Sequence, residues 1–283
     1  MKIITTIHEM QQTVDELRQI RKKLGVVPTM GYLHEGHLSL IHLAKQHADV
    51  VITTLFVNPA QFGPTEDFDK YPRDFGRDKK LAESAGTDIL FAPSNEEMYP
   101  AGYLTVVDVG RITTVLEGKI RPTHFRGVTT VIAKLFNITK PDVAVFGQKD
   151  AQQAIVIQQM VRDLNFDVRI MIAPIVRESE GLAMSSRNVY LSEVERKESV
   201  VLHQSLQLAK KLIEYGERNC SLIISEMKKL ISANLSAKID YISITEAETL
   251  EELSVLQDGN QALISLAVRF GTTRLIDNIL LTI

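Results

Sequence analysis

The sequence predicts an α/β protein: a doubly wound, Rossmann-like parallel sheet followed by a smaller C-terminal α+β domain. Two observations carry this. Over roughly the first 175 residues, short uncharged apolar runs alternate with stretches whose apolar residues recur at helical spacing, the pattern of βαβ crossovers. Beyond that point, long helical patterns come first and neighbouring strands follow. The expected domains are residues 1–176 and 177–283, divided where Glu178, Ser179, Glu180 and Gly181 interrupt the apolar pattern.

Each element follows from its local period. Leu24 to Pro28 is a compact apolar strand, and Thr29 to Gly36 a loop. Leu38, Ile41, Leu43 and Ala44 mark one face of a helix. Val50 to Val57 is β-branched and uncharged, a strand buried on both faces. A helix is expected over Asp74 to Ala85, then a strand over Asp88 to Ala92 and a β-branched strand over Leu104 to Val109. A helix near Thr129 to Phe136, a strand over Asp142 to Phe146, a helix over Ala151 to Leu164 and a strand over Val168 to Ile172 complete the alternation. In the second domain, Ser192 to Tyr215 and Leu222 to Leu235 read as helices and Lys238 to Ala247 as a strand. Ala262 to Phe270 and Thr273 to Thr282 flank Gly271 as the arms of a hairpin.

Composition narrows the function. Apolar residues at 45% and charged residues at 24% exclude a disordered chain. The net charge of −3 argues against a general nucleic-acid binder, which needs a basic surplus to neutralise phosphates. A single cysteine, Cys220, excludes an internal disulfide framework and suits a reducing cytoplasm. Met1 to Glu9 lacks the apolar core of a signal peptide, and Val50 to Val57 is too short to span a bilayer. The expectation is a soluble cytoplasmic protein with no membrane partner.

Four polar clusters carry the candidate chemistry. The densest is Pro28-Thr29-Met30-Gly31-Tyr32-Leu33-His34-Glu35-Gly36-His37, in the first strand-to-helix turn. Open α/β sheets bind ligands beyond strand C-termini, where helix N-termini attract anions. It is not a Walker A loop, because His37 and Leu38 stand where Lys and Ser or Thr are needed. The His-x-x-His spacing also differs from a zinc-protease helix. Two imidazoles at a helix start can donate to phosphate oxygens, with Gly36 allowing close approach. A metal site on His34, His37 and His42 fits less well, since His42 points elsewhere on the helix.

The second cluster, Asn58-Pro-Ala-Gln61, brings amides to a strand mouth, although Asn58-Pro59 alone reads as a strand-ending turn. The third, Gly147-Gln148-Lys149-Asp150 with Gln153, sets an ammonium at a helix start, where Asp150 also suits an ordinary cap. The fourth, Met184-Ser185-Ser186-Arg187-Asn188, offers two hydroxyls and a guanidinium fork near the domain junction.

Together with Glu66-Asp67, Tyr71-Pro72-Arg73 and His124-Phe-Arg-Gly-Val, these pieces resemble the pantoate–β-alanine ligases, in that family's order and nearly end to end across the first domain. The resemblance implies an ATP-dependent ligase of the nucleotidyltransferase superfamily that forms a pantoyl adenylate, which β-alanine attacks. It implies that Met30 to His37 line the ATP site, with His37 as proton donor and His34 beside it. It also implies that Gly147, Gln148, Lys149, Asp150, Val176, Met184, Ser185, Ser186 and Arg187 hold the nucleotide. The groups acting on the phosphates would be His34, His37, Lys149, Ser185, Ser186 and Arg187. Gln61, Gln153 and Asn58 would bind pantoate, and Gln61 also β-alanine. Gln148 stands where the family carries an acidic residue, a change that a backbone contact survives. Mg²⁺ bound with the phosphates, a homodimer and a closing second domain are further implications. The runner-up readings are a sister nucleotidyltransferase acting on CTP or another acid, and a nucleotide-binding regulator without catalysis.

Overall fold

A computed structural model of the chain describes residues 1–64 and 66–283. It divides into two compact units, residues 1–148 with 152–174, and residues 149–151 with 175–283.

The first unit holds β1 (Lys2–Ile4), α1 (Ile7–Gln19), β2 (Leu24–Thr29), α2 (Glu35–His47), β3 (Val50–Leu55), α3 (Phe75–Ser84), β4 (Ile89–Phe91), α4 (Asn95–Met98), α5 (Glu117–Ile120), α6 (His124–Thr139), β5 (Val143–Gly147), α7 (Ala151–Asp163, whose first residue belongs to the second unit) and β6 (Arg169–Ala173). Its described strands form one parallel sheet of order β1-β4-β3-β2-β5-β6. The predicted doubly wound sheet is therefore present. Val27, Leu33, Ile41, Ala44, Val51 and Leu90 fill the core between sheet and helices.

Strand order reverses at β2, which has β3 on one side and β5 on the other. This is the position where an open α/β sheet leaves a crevice. β2 pairs with β3 along its whole length, from Leu24–Val50 to Thr29–Leu55, but with β5 only at Gly25–Val143 and Val26–Ala144. Pro28 has no N–H to offer a ladder, and the β2 and β5 ends go untied beyond that point.

In the first unit the sequence expectations need three amendments. The segment Leu104 to Val109 is not a strand: the Val107 N–H donates to Thr130 Oγ1 (3.0 Å) and its carbonyl accepts from Thr129 Oγ1 (2.7 Å), both on α6. Side chains of a helix have taken the place of a strand neighbour. The helix expected near Thr129 to Phe136 extends a turn or so further at its start, to His124. At the N-terminus, β1 and α1 were unassigned from sequence; α1 buries only Met10 and Val14, too thin a stripe to set a period.

The second unit contains α8 (Glu193–Ser199), α9 (Val201–Glu214), α10 (Cys220–Ser232), β7 (Ala237–Glu246), β8 (Gln261–Phe270) and β9 (Thr273–Thr282). The single helix expected over Ser192 to Tyr215 is two, divided at Val200. β7, β8 and β9 form an antiparallel sheet in sequence order, with the hairpin at Gly271. Leu202, Leu206, Met227 and Ile231 from the helices pack with Ile264, Leu266 and Val268 of β8. Cys220 is buried and unpaired. No described helix is long and apolar enough to cross a membrane.

One close approach in the first unit is sharp enough to test. Gly127 of α6 lies so near the turn after β3 that a Cβ there would sit 2.2 Å from the Ala60 carbonyl oxygen and 2.5 Å from the Gln61 nitrogen. The obstacle is backbone, which cannot rotate away. Gly127→Ala is expected to cost about 3 kcal/mol or more, the upper end of overpacking penalties. For a domain of this size that lowers Tm by roughly 6 °C or more; a melt matching wild type would show that the turn yields.

Candidate active site

The turn after β2 is built by three side chains. Thr29 Oγ1 donates to the Thr54 carbonyl (2.6 Å) and accepts the Gly31 N–H (3.2 Å), locking the ends of β2 and β3 together. Gly31 (φ +81°) and Tyr32 (φ +49°) then carry the chain through left-handed backbone, which is easy for glycine and costly for tyrosine. Asp78, reaching from α3, offsets that cost: its two carboxylate oxygens each accept an N–H at 2.7 Å, from Tyr32 and Leu33. Asp78 is buried, and burial pushes its carboxyl above the ordinary range while the two N–H groups draw it back. The Arg77 guanidinium lies over the Tyr32 ring, 5.0 Å from its centre.

This turn delivers His34 and His37 to the start of α2. His34 is the extended residue just before the helix, and its carbonyl accepts the N–H groups of His37 and Leu38. The two imidazoles lie with centroids 4.1 Å apart. The His34 N–H donates to His37 Nδ1 at 3.3 Å. An acceptor Nδ1 places the proton of a neutral imidazole on Nε2, so His37 is held as an Nε2 donor at the positive end of a helix. His42 is exposed on α2. Among the described residues, no group of three or more His, Cys, Asp or Glu side chains could hold a metal.

After β3, Asn58 caps a short turn and Gln61 closes it; both are buried. Gln61 is gripped through its main chain. Its carbonyl accepts His124 Nδ1 (2.9 Å) and the Arg121 guanidinium (3.4 Å). Arg121 in turn forms a two-pronged pair with Glu66, at 2.8 and 2.6 Å. Burial alone would raise the Glu66 carboxyl, but Arg121 brings it below its usual value. Burial, reinforced by Arg121, pushes the His124 imidazole down to about 4, so it stays neutral and donates from Nδ1. The His124 motif read from sequence therefore supports the Gln61 turn.

Gly147 ends β5 beside β2, and Gln148 begins the following turn. On α7, adjacent amides divide their work. Gln152 is buried and holds the chain before and into α5, bonding the Ile112 and Val115 carbonyls and the Glu117 N–H. Gln153, half-buried, makes no side-chain hydrogen bond among the described residues.

The remaining predicted residues belong to the second unit. The Lys149 ammonium is 3.7 Å from Asp150, and the Lys149 carbonyl accepts Asn278 Nδ2 at 2.9 Å. Val176 and Met184 face each other across a hairpin, with the Met184 N–H donating to the Val176 carbonyl (3.0 Å). The polar run Glu178 to Gly181 is its tip. Ser185 then caps a helical turn over Ser186 to Tyr190 by accepting the Arg187 N–H (3.2 Å). Asn188 fixes this turn by donating to Glu178 (2.8 Å) and to the Ala183 carbonyl (3.1 Å), and Arg196 braces both Glu178 and the Asn188 carbonyl. At the hairpin base, Arg177 makes a bidentate pair with buried Asp277, at 2.6 and 3.0 Å.

Sequence reasoning missed Asp78 and Arg196, which act on backbone from elsewhere in the chain, and the brace that Glu178 gives to the side chains of Asn188 and Arg196. Asp78 alone left a signal: it shares the buried face of its helix with Ala82, an acid in an apolar stripe.

Two predictions follow from these supports. Asp78→Asn leaves one oxygen where two N–H groups need acceptors, and is expected to weaken about tenfold the ATP binding that the family resemblance implies, with the fold retained, the loss of one hydrogen bond to a charged group. Calorimetric titration checks it, and unaltered affinity would show that the turn needs no carboxylate. For His124, the unfolded chain takes up a proton near pH 6.5 and the folded chain only near 4, so stability falls as pH drops through that window. Between pH 7 and 5 the loss from this residue is about 2 kcal/mol. His124→Asn, which keeps a donor near Nδ1, is expected to lose less by that amount in urea melts at the two pH values; identical losses would assign the acid sensitivity elsewhere.

Comparison with known proteins agrees with the fold and the family resemblance. The profile of the pantoate-beta-alanine ligase family matches residues 2–280. A pantothenate synthetase from Chloroherpeton thalassium is 57% identical over 279 residues, 98% of each chain. The crystal structure of pantothenate synthetase from Thermus thermophilus superposes with a TM-score of 0.93 at 43% identity, over 99% of each chain. A pantoate-beta-alanine ligase from Francisella tularensis, solved with beta-gamma ATP and beta-alanine, aligns with a TM-score of 0.80 at 34% identity, over 99% of this chain and 97% of that one. The chain belongs to the pantoate-beta-alanine ligase family.

Proposed function

We propose that this ligase joins pantoate to β-alanine in two steps at the expense of ATP. In the first, a pantoate carboxylate oxygen attacks the α-phosphorus of ATP; a C–O–P anhydride forms and the bond to the leaving pyrophosphate breaks. In the second, the β-alanine nitrogen attacks the acyl carbon, a C–N bond forms, AMP leaves, and the amine gives up its proton. The carboxylate is already ionised at neutral pH, so the first step needs positioning and charge stabilisation rather than a protein nucleophile.

The observation that carries this reading is the His34 N–H donating to His37 Nδ1 at the start of α2, where the strand order reverses, which leaves Nε2 as the donor. A donor there stabilises charge growing on phosphate oxygens. His34 and the main chain of Met30 to His37 line the nucleotide beside it. Gly147, Gln148, Asp150, Val176 and Met184 are assigned to the nucleotide too, and Lys149, Ser185, Ser186 and Arg187 to the phosphates as cations and hydroxyl donors. Gln61 and Gln153 bind pantoate, Gln61 also meets β-alanine, and Asn58 serves this subsite. Mg²⁺ entering with ATP would neutralise phosphate charge. The unpaired thiol of Cys220 suits a cytoplasmic location, which cell fractionation checks.

Pantoate-dependent exchange between ATP and pyrophosphate, measured without β-alanine, is the test of the first step. Lys149→Ala is expected to reduce it about 100-fold or more without lowering Tm, and EDTA to abolish it. Exchange that ignores pantoate, or survives in the variant, would defeat the assignment. We also propose a homodimer. Residues 103–110 expose Leu104 (90%) and Val106 (55%) while Val107 is tied to α6, an apolar edge suited to a second copy. Sedimentation is expected to give twice the chain mass, and Leu104→Asp to shift it toward the monomer; a monomeric wild type would rule this out.

A further inference from the structure

Gln61 has two chemically different ends, an acceptor oxygen and a donor NH₂, which the space around an amide scarcely distinguishes. Which end faces the substrate is decided behind it, by Asn58. Asn58 is 1% exposed and uses its whole amide on the protein. Its Oδ1 accepts the Ala60 N–H (3.3 Å), and its Nδ2 donates to the Gly127 carbonyl (3.0 Å). A backbone N–H can only donate and a carbonyl can only accept, so these two contacts fix which end of Asn58 is oxygen. The second proton on Nδ2 then meets Gln61 at 3.1 Å, and the atom receiving it must be Gln61 Oε1. Gln61 Nε2 is left turned toward Met30 Sδ at 3.0 Å, a weak acceptor in the turn that leads to His34 and His37.

One acceptor site on Asn58 remains, and Tyr99 fills it. The Tyr99 hydroxyl donates to Asn58 Oδ1 at 2.8 Å, shorter than the Ala60 contact to the same oxygen. The Tyr99 ring is held edge-on by Tyr103, with centroids 5.1 Å apart. Burial, with Tyr103 adding to it, keeps the phenol well above its ordinary range, so it stays a donor throughout neutral and alkaline pH.

We propose that Tyr99, through Asn58, is a positioning residue that locks the Gln61 amide with its NH₂ presented as a donor to an oxygen of the bound hydroxy acid. This rests on the assignment of Gln61 to the pantoate subsite. A donor is the right polarity for an anion, and a reversed amide would meet the carboxylate oxygen-to-oxygen. A permanently oriented amide also spares the cost of fixing it at each binding event.

The test is steady-state kinetics of pantoate-dependent ATP–pyrophosphate exchange with Tyr99→Phe and Asn58→Asp, each with a thermal melt. Tyr99→Phe keeps the ring and is expected to raise the KM for pantoate about tenfold, with the KM for ATP within about twofold of wild type. Asn58→Asp has no N–H to give Gln61, so the amide turns over; pantoate KM is expected to rise about 100-fold. A pantoate KM unmoved in Tyr99→Phe, or KM values for pantoate and ATP that rise together, would overturn the relay, whatever the melts show. If Asn58→Asp fails to fold, the split in Tyr99→Phe still decides. Wild-type protein without pantoate-dependent exchange would overturn the substrate assignment, and the relay with it.

Discussion

β2 can hold β5 only as far as Val26, and most of what the first unit does depends on that. A central strand normally has both edges occupied; here Pro28 has no proton for a ladder, and the edge facing β5 is released just before the chain turns. On the other side β2 stays bonded to β3 to its end, reinforced by Thr29 and Thr54. One neighbour is fixed and the other freed, at the position where strand order reverses. A parallel sheet points all its strand C-termini one way, so the turns after β2, β3 and β5 share an edge.

The turns after β2 and β3 are backbone held by polar side chains. Asp78 grips the turn after β2, and His124 and Arg121 grip the carbonyl of Gln61. In the second unit, Glu178, Asn188 and Arg196 do the same for the turn that carries Ser186 and Arg187. None of these contacts makes a core larger. Each converts a loop with many accessible conformations into one shape before any ligand arrives, which is how electrostatic catalysis avoids reorganisation in the reacting complex.

The legible part of the sequence was the part governed by local period. Val50 to Val57 has no charge to accommodate, so its burial on both faces was plain, and the His-x-x-His turn announced itself by sitting between such a strand and a helix. Two kinds of feature were not legible. Short elements at the sheet edge, such as β1, bury too little to leave a pattern, and the β-branched run Leu104 to Val109 satisfied its central backbone groups through α6 instead of a strand. Supports reaching across the chain were hidden as well: Tyr99 follows a four-residue helix and lies 41 residues from the asparagine it meets. A hydroxyl's partner is set by tertiary packing, which spacing does not encode.

The bond from Asn278 to the Lys149 carbonyl spans 129 residues. On a ribosome, the turn bearing Lys149 emerges well before β9, the strand that ties it down. Residues 149–151 belong to the unit whose other members all follow Pro174, so a nascent chain that has finished the parallel sheet still lacks this anchor for a turn assigned to the phosphates. Formation of the β8–β9 hairpin thus sets the moment at which that turn gains this tether.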